Sequence, residues 1–305
     1  MKLIDYSIII PVHNSAITLK ELHNRLVNTI HNLTFEIIFI DDGSIDNSWN
    51  EIKDIQQNYQ IKAFKLSKNY GQHNATLCGL INSTGKYAIT IDDDLQTPPE
   101  EIVKLINRMN ETNADVIYGI SKNLNKNFIN KTLKLILLFF TNIFYSQKKE
   151  ASSFRLINKN IIQNISQHKQ SIVSIDEVIL WYTANISNTY VEHNVRKYGK
   201  SGYSILSIFS IAINVFFNFY SFPLKFIVTI GFYTSLFSIL LGLFYLIKKI
   251  FFNVAIEGWT SLMVTILFST GIIVFSIGII SRYVLQILSY QQEKPGFNIS
   301  EKIGE

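Results

Sequence analysis

Cysteine is almost absent from this chain of 305 residues. Cys78 is the only one, which excludes an intrachain disulfide and a cysteine-based metal cluster and gives no sign of an oxidising compartment. No G-x-G-x-x-G run follows the first predicted strand, so a dinucleotide site is disfavoured. Gly199-Lys200-Ser201 ends like a phosphate-binding P-loop, but Asn194 stands where the upstream glycine is required. Asp92, Asp93 and Asp94 lack the register and later glutamate of an EF-hand. No secretory apolar segment opens the chain: Asp5 closely follows Met1-Lys2-Leu3, and the amino-terminal domain is expected to stay in the cytoplasm. The N-x-[ST] triplets, Asn74-Ala75-Thr76 among them, are then chance occurrences.

What the chain has instead is apolar and basic. Hydrophobic residues make up 48% of it, the formal charge is +5 and the pI is near 9.0. That balance suits a nucleic-acid binder or a protein resting on anionic lipid. The strongly apolar region from Phe222 to Leu288 favours lipid and argues against nucleic acid. Charges of both signs are interspersed before about Tyr203, so the chain has room for an α/β domain and something more.

Tyr87 to Glu101, YAITIDDDLQTPPEE, organises the rest. Tyr87 to Ile91 is a β-branched apolar run, expected as a strand buried on both faces. Thr97 before Pro98, Pro99, Glu100 and Glu101 has helix-start chemistry: a hydroxyl cap, proline where no N–H is needed, acids in the first turn. Asp92, Asp93 and Asp94 therefore fall between the carboxyl end of a strand and a helix, where open α/β sheets bind ligands. Three adjacent carboxylates repel one another, and beside a phosphorylated substrate they call for a hard cation. Mg²⁺ or Mn²⁺ is held in this way, by one or two carboxylates plus substrate phosphates. A bare acidic run is also explained as a solvated helix cap.

Ser7–Val12, Phe35–Ile40, Ile61–Leu66 and Asp115–Ile120 read as further strands, with helical spacing between them. Strands alternating with helices predict an α/β fold of right-handed βαβ units with a parallel sheet. The second strand ends in Asp41-Asp42-Gly43-Ser44, so two strands present acids at one sheet edge, where a carboxylate can accept hydrogen bonds from a base or ribose. Glu150–Ile157 reads as a loop entering a strand, with Arg155 its charged exception. Ser174–Trp181 opens a helix whose first turn suits Asp176 and Glu177 through the helix dipole.

His193 to Tyr203, HNVRKYGKSGY, gathers Arg196, Lys197 and Lys200 around two glycines. Such a loop suits a diphosphate clamp, and it equally suits contact with lipid headgroups. Residues 127–145 read as an interfacial helix or an ordinary core helix, and 204–222 as a helix lying in the bilayer interface. Leu224–Ile247 and about Trp259–Ile280 are each long enough to span a hydrocarbon core of roughly 30 Å. Gly231, Gly242, Gly271 and Gly278 would let such helices pack closely, within one chain or in a homo-oligomer. Two spans from a cytoplasmic start return the tail to the cytoplasm, although Lys248 and Lys249 in the outer loop oppose this.

SIIIPVHN, FIDDGSIDNS, LSKNYGQHNA, TIDDDLQTPPE, SSFRLINK and VRKYGKSGY, in that order and followed by two apolar segments, resemble the family-2 glycosyltransferases that act on polyprenyl phosphates. The resemblance covers nearly the whole chain. It implies a GT-A domain over 1–203, an interfacial helix over 204–222 and a two-helix anchor over 223–305. It further implies a cytoplasmic-membrane location, a nucleotide-sugar donor, a polyprenyl phosphate acceptor, Mg²⁺ or Mn²⁺, and inversion at the anomeric carbon. Pro11, Asp41, Asp42 and Asn69 would line the nucleoside pocket. Asp94 would be the first metal ligand and Asp92 the second, with Asp92 nearer the ribose or sugar, Asp93 in the nucleotide-sugar site and Gln96 facing the sugar. Arg196, Lys200, Ser201 and Tyr203 would hold phosphate.

Many members of that family carry an aspartate before F-R-L, proposed as the catalytic base, where this chain has Ser153. A phosphate acceptor with a second pKa of about 6 is largely dianionic at neutral pH and needs orientation more than deprotonation. Arg155 is expected to help orient it, and Asp176 or Glu177 is a candidate substitute acid. A processive polysaccharide synthase would show a Q-x-x-R-W motif, a context Trp181 lacks. A membrane-bound sugar-nucleotide sensor without catalysis has only Ser153 to suggest it.

Overall fold

The computed structural model describes residues 4–58, 61–121, 151–167, 174–194, 258–291 and 295–304, with scattered positions between 226 and 251. Tyr6–Val12 (β1) and Phe35–Asp41 (β2) are runs of Ile and Phe that pair in parallel, Ile8 opposite Ile37 and Ile10 opposite Phe39. Lys62–Leu66 (β3) and Tyr87–Thr90 (β4) flank them in the same sense. Val116–Ser121 (β5), Arg155–Asn158 (β6), Ile186–Val191 (β7) and Ile299–Ile303 (β8) complete one eight-stranded sheet in the order β7-β5-β6-β4-β1-β2-β3-β8.

Side chains that alternate along a strand serve two helical layers. Ile8, Ile10, Ile37 and Phe39 pack with the buried stripe Leu19, Leu22, Leu26 and Ile30 of Leu19–Ile30 (α1), and with Ser48–Asn58 (α2) and Ile102–Thr112 (α4). Ile9 faces the other way, toward Gln72–Ile81 (α3), Lys159–Ser166 (α5) and Ile175–Tyr182 (α6). Each fully buried Leu or Ile contributes about 2 kcal/mol.

The sheet is mostly parallel, as the alternation of strands and helices predicts, with two strands running against their neighbours. β6 lies between β4 and β5 and runs against both, because the chain enters it from the carboxyl edge of β4. β8 lies antiparallel on β3. That strand comes from residues read in sequence only as a tail. The helix start also differs: Pro99–Glu101 forms a 3₁₀ turn before α4, and no side chain caps it. Pro99 has no N–H to donate, which leaves a Thr97 hydroxyl little to accept there.

The chain forms two compact units, residues 1–202 with Lys294–Glu305, and Tyr203–Glu293. In the second, Trp259–Gln291 (α7) contains Phe268–Leu285, the one stretch among the described residues long and apolar enough to cross a membrane. The helix runs past the expected end at Ile280. The expected span at 224–247, the interfacial helix at 204–222 and the helix at 127–145 fall largely or wholly outside the described residues. At Gly231, Gly271 and Gly278 an added Cβ would meet nothing within 4 Å among the described residues. Gly231 and Gly271 line an apolar cavity of about 400 Å³ with Phe226, Ile230, Phe268 and Phe275.

Candidate active site

β2 and β4 are parallel strands on either side of β1, so their acidic ends share one sheet edge. Beyond β4, Asp92 is gripped at both oxygens: Gln72 Nε2 donates to Oδ1 and Ser153 Oγ donates to Oδ2, each over 2.6 Å. Burial raises its pKa, the neighbouring Asp94 charge adds to this, and Ser153, Arg155 and His193 oppose it. Asp93 turns toward β1, where its Oδ2 accepts from the His13 N–H at 3.0 Å and its carbonyl accepts from Thr18 Oγ1 at 2.6 Å. Burial pushes the Asp93 carboxyl up to about 6, against hydrogen bonds from Ser15 and His13. Asp94 Oδ1 accepts from the Gln96 N–H at 3.1 Å across Leu95, a buried non-glycine residue at φ +59°. Backbone strain of this kind, of order 1–3 kcal/mol, concentrates at functional sites.

At the end of β2, Asp42 is an anchor for backbone. Its two oxygens accept from the Tyr70 and Gly71 N–H groups at 2.7 and 2.9 Å, and its pKa is raised by burial, which those donors oppose. Asp41 is fully buried; one oxygen accepts from the Ser44 N–H, and Oδ2 has no hydrogen-bond partner among the described residues. Gly43 between them must be glycine: it sits at φ +65°, and a Cβ would lie 2.5 Å from the Lys68 carbonyl carbon. His13 joins the two strand ends. Its Nδ1 donates to the Asp42 carbonyl at 3.0 Å, leaving Nε2 to accept from Asn14 and Asn69 at 3.1 and 3.2 Å. Pro11 is buried within β1 opposite Ile40.

Arg155 is 2% exposed and reaches inward. Its Nε donates to Thr90 Oγ1 at 3.2 Å, its Nη1 pairs with Asp176, and Asp176 also accepts from Tyr118 OH at 2.9 Å. So Arg155 and Asp176, expected from sequence to orient the acceptor and to substitute for the missing acid, are paired with each other. Glu177 is beside Asp176 in the first turn of α6. Gln96 brings in one more element: its carbonyl accepts from the Asn194 N–H at 2.7 Å, while the Glu192 N–H donates to Glu101 at 3.0 Å. The root of the basic loop thus emerges next to the acids. Arg196, Lys200, Ser201 and Tyr203 themselves lie outside the described residues.

The model of the Glycosyl transferase family 2 matches residues 7–167, more than half of the chain. The chain belongs to that family. This glycosyltransferase is 29% identical over 309 residues to an uncharacterized glycosyltransferase of Synechocystis sp., covering 99% of this chain and 96% of the relative. It is 27% identical over 307 residues to the undecaprenyl-phosphate 4-deoxy-4-formamido-L-arabinose transferase of Proteus mirabilis, covering 98% and 94%. Among solved structures it resembles mannosyl-3-phosphoglycerate synthase from Rubrobacter xylanophilus with a TM-score of 0.53, 13% identity, and coverage of 70% of this chain and 74% of that one. That likeness identifies the α/β GT-A fold.

Four residues that sequence reasoning passes over bond to Asp92 and Asp93 in the candidate site: His13, Ser15, Thr18 and Gln72. His13 and Gln72 stand inside motifs already singled out, PVHN and KNYGQ, and both come within a few residues of a strand end. Ser153, read as the loss of a carboxylate, is a donor that fixes Asp92.

Proposed function

We propose that this glycosyltransferase moves a sugar from a nucleoside diphosphate donor to polyprenyl phosphate, with inversion, at the cytoplasmic face of the membrane. The observation that carries the reading is the convergence of three things on one sheet edge: the acids after β4, the orphan oxygen of Asp41 after β2, and the root of the basic loop at Asn194. A buried carboxylate oxygen without a donor suits a base N–H or ribose hydroxyl. The polyprenyl acceptor is supported by the name of the Proteus relative, matched nearly end to end.

The donor set at 92–94 fits a hard cation: carboxylates whose mutual repulsion and burial already lift the Asp92 pKa. Asp94 and Asp92 would hold Mg²⁺ or Mn²⁺, which when bound neutralises charge on the departing diphosphate. The chain's own groups do the remainder. Asp41 and the Asn69–His13 pair face the nucleoside, Gln72 and Ser153 keep Asp92 in one orientation, and the basic loop receives phosphate. An oxygen of the lipid phosphate attacks the anomeric carbon, and the bond from that carbon to the diphosphate oxygen breaks. No proton has to leave the acceptor, so no base is needed at 153.

β8 bears on topology as well. A tail strand hydrogen-bonded into the same sheet as β1 lies on the same side of a bilayer as that sheet, so the chain between 203 and 294 crosses an even number of times. With α7 as one span, the apolar segment around 226–251 supplies the other, and both ends of the chain stay cytoplasmic.

Release of nucleoside diphosphate from a panel of UDP-, GDP- and dTDP-sugars, with and without undecaprenyl phosphate, tests the reading. Turnover that depends on the lipid is expected, and donor hydrolysis indifferent to it would overturn the acceptor assignment. Ser153→Asp gives a sharper result. It replaces a donor to Asp92 with a like charge at hydrogen-bond range, so the transfer rate is expected to fall about tenfold. A gain in rate would show that the site wants a base after all.

A further inference from the structure

β3 would be an edge strand without β8. Its pairing with β2 stops at Asp41 opposite Lys65, and the last partner belongs to the tail: Leu66 pairs with Ile299. The register shifts between Lys65 and Leu66, and the Ser67 N–H then donates to the Asn298 carbonyl at 2.9 Å, while Ser300 Oγ donates to the Lys65 carbonyl at 3.1 Å. Irregularities of this kind end pairing and re-aim the chain beside active sites. Directly after Ser67 the chain enters the loop Lys68–Gly71, whose N–H groups hold Asp42 and whose Asn69 meets His13. That loop is therefore anchored downstream by Asp42 and upstream by the tail.

Side chains fasten the tail to the same place. Phe297 and Ile299 pack with Tyr70 on the cluster of Ile38, Ile40, Phe64 and Leu66. Glu301 accepts from Trp49 Nε1 at 2.8 Å and pairs with Lys53 at 2.6 Å, which ties β8 to α2. Gly304, at φ +79°, closes so tightly on Ile61 that a Cβ would lie 1.8 Å from its carbonyl oxygen. The strand begins a few residues after α7 ends at Gln291.

We propose that β8 is a positioning element of the donor site: by holding Leu66 and Ser67 it sets the Lys68–Gly71 loop against Asp42 and His13, so that donor affinity depends on the chain returning from its apolar segment to the sheet. Phe297, Ile299 and the Asn298 backbone are its positioning groups, acting through the loop and not on substrate. The inference rests on the donor reading given above, and two readouts keep the two apart.

The experiment compares the full-length protein in detergent with Phe297→Ala, Phe297→Leu and a chain stopped after Glu293. Amide hydrogen exchange over 66–71 is read against exchange over β1, which reports whether the domain is folded. Binding of UDP and of GDP, each with Mn²⁺, and the steady-state constants are read on the same samples. In Phe297→Ala, exchange over 66–71 is expected to rise at least tenfold with β1 still protected. The KM for donor should rise about tenfold, with kcat and the KM for polyprenyl phosphate within twofold, and Phe297→Leu should restore the donor KM. Unchanged protection over 66–71, or an unchanged donor KM with the loop loosened, would overturn the proposal. Failure of the unaltered protein to bind UDP, GDP and, in the same assay, dTDP would overturn the donor reading instead. If the shortened chain loses β1 protection as well, Phe297→Ala decides the matter.

Discussion

Asp94→Ala is expected to lower the rate of glycosyl transfer about a thousandfold while the domain stays folded. The magnitude is that of removing a group which stabilises charge developing in a transition state, about 10²–10³, at the upper end because a metal would be lost with it. The expectation of an intact fold comes from the contacts. Asp94 accepts from the Gln96 N–H in a loop beyond the carboxyl end of β4, outside the buried apolar core of the sheet. One unmade hydrogen bond costs about 1–3 kcal/mol, well short of unfolding a domain with this core. Asp92→Asn tests the other half of the assignment. Its new NH₂ must face either Gln72 Nε2 or Ser153 Oγ, both of which now donate to it. A loss nearer a hundredfold is expected there. Product formation with Mn²⁺ and polyprenyl phosphate, alongside a thermal melt, measures both variants. More than a tenth of the original rate in Asp94→Ala, with an unchanged melt, would remove Asp94 from the mechanism.

The central strands are legible in sequence because burial on both faces demands uninterrupted apolar runs, and SIIIPV, FEIIFI and YAIT are such runs. The tail strand is not. β8 reads ISEKI, an alternation that is plain once its partner is known, yet that partner is remote in the chain: Ser300 bonds to Lys65 across 235 residues. β6 is four residues long and begins with a charge, and the Asp176 carboxylate in a later helix, with Thr90 Oγ1 on the neighbouring strand, makes Arg155 acceptable there. The site divides in the same way. The acids are visible because their spacing from a strand end is local. The donors that orient them, Gln72, Ser153 and His13, come from three other parts of the chain, and hydrogen-bond partnership at that range leaves no trace in residue order. Arg155 and Asp176 show the same limit. Their types suggest chemistry, and their closeness to each other is not written in their spacing.

Glu36→Ala is expected to cost about 3–5 kcal/mol, the price of leaving several buried donors without an acceptor. Glu36 is 7% exposed in β2, opposite Ser7 of β1. Its Oε1 accepts from Ser7 Oγ at 2.5 Å, from the Thr84 N–H at 2.7 Å and from Thr84 Oγ1 at 2.9 Å, and its Oε2 pairs with Lys62 at 2.7 Å. The same serine oxygen accepts from the Gly85 N–H, so one carboxylate ties β1, β2, β3 and the turn before β4 at the edge opposite the acids. Burial by itself would raise its pKa. The hydrogen bonds from Lys62, Ser7 and Thr84 outweigh that and hold the carboxyl below its usual value. Because the folded-state pKa is depressed, the stability it supplies is fully present above the unfolded value of about 4.3 and is lost as pH falls through the folded value. At pH 7 the melting temperature of Glu36→Ala should therefore fall by roughly 10 °C. The gap from the unaltered protein should narrow steadily below about pH 4. Melts taken across that range decide it: a variant within about 1 kcal/mol of the original at pH 7, or a gap that widens in acid, contradicts the assignment of Glu36 as the clasp of the sheet.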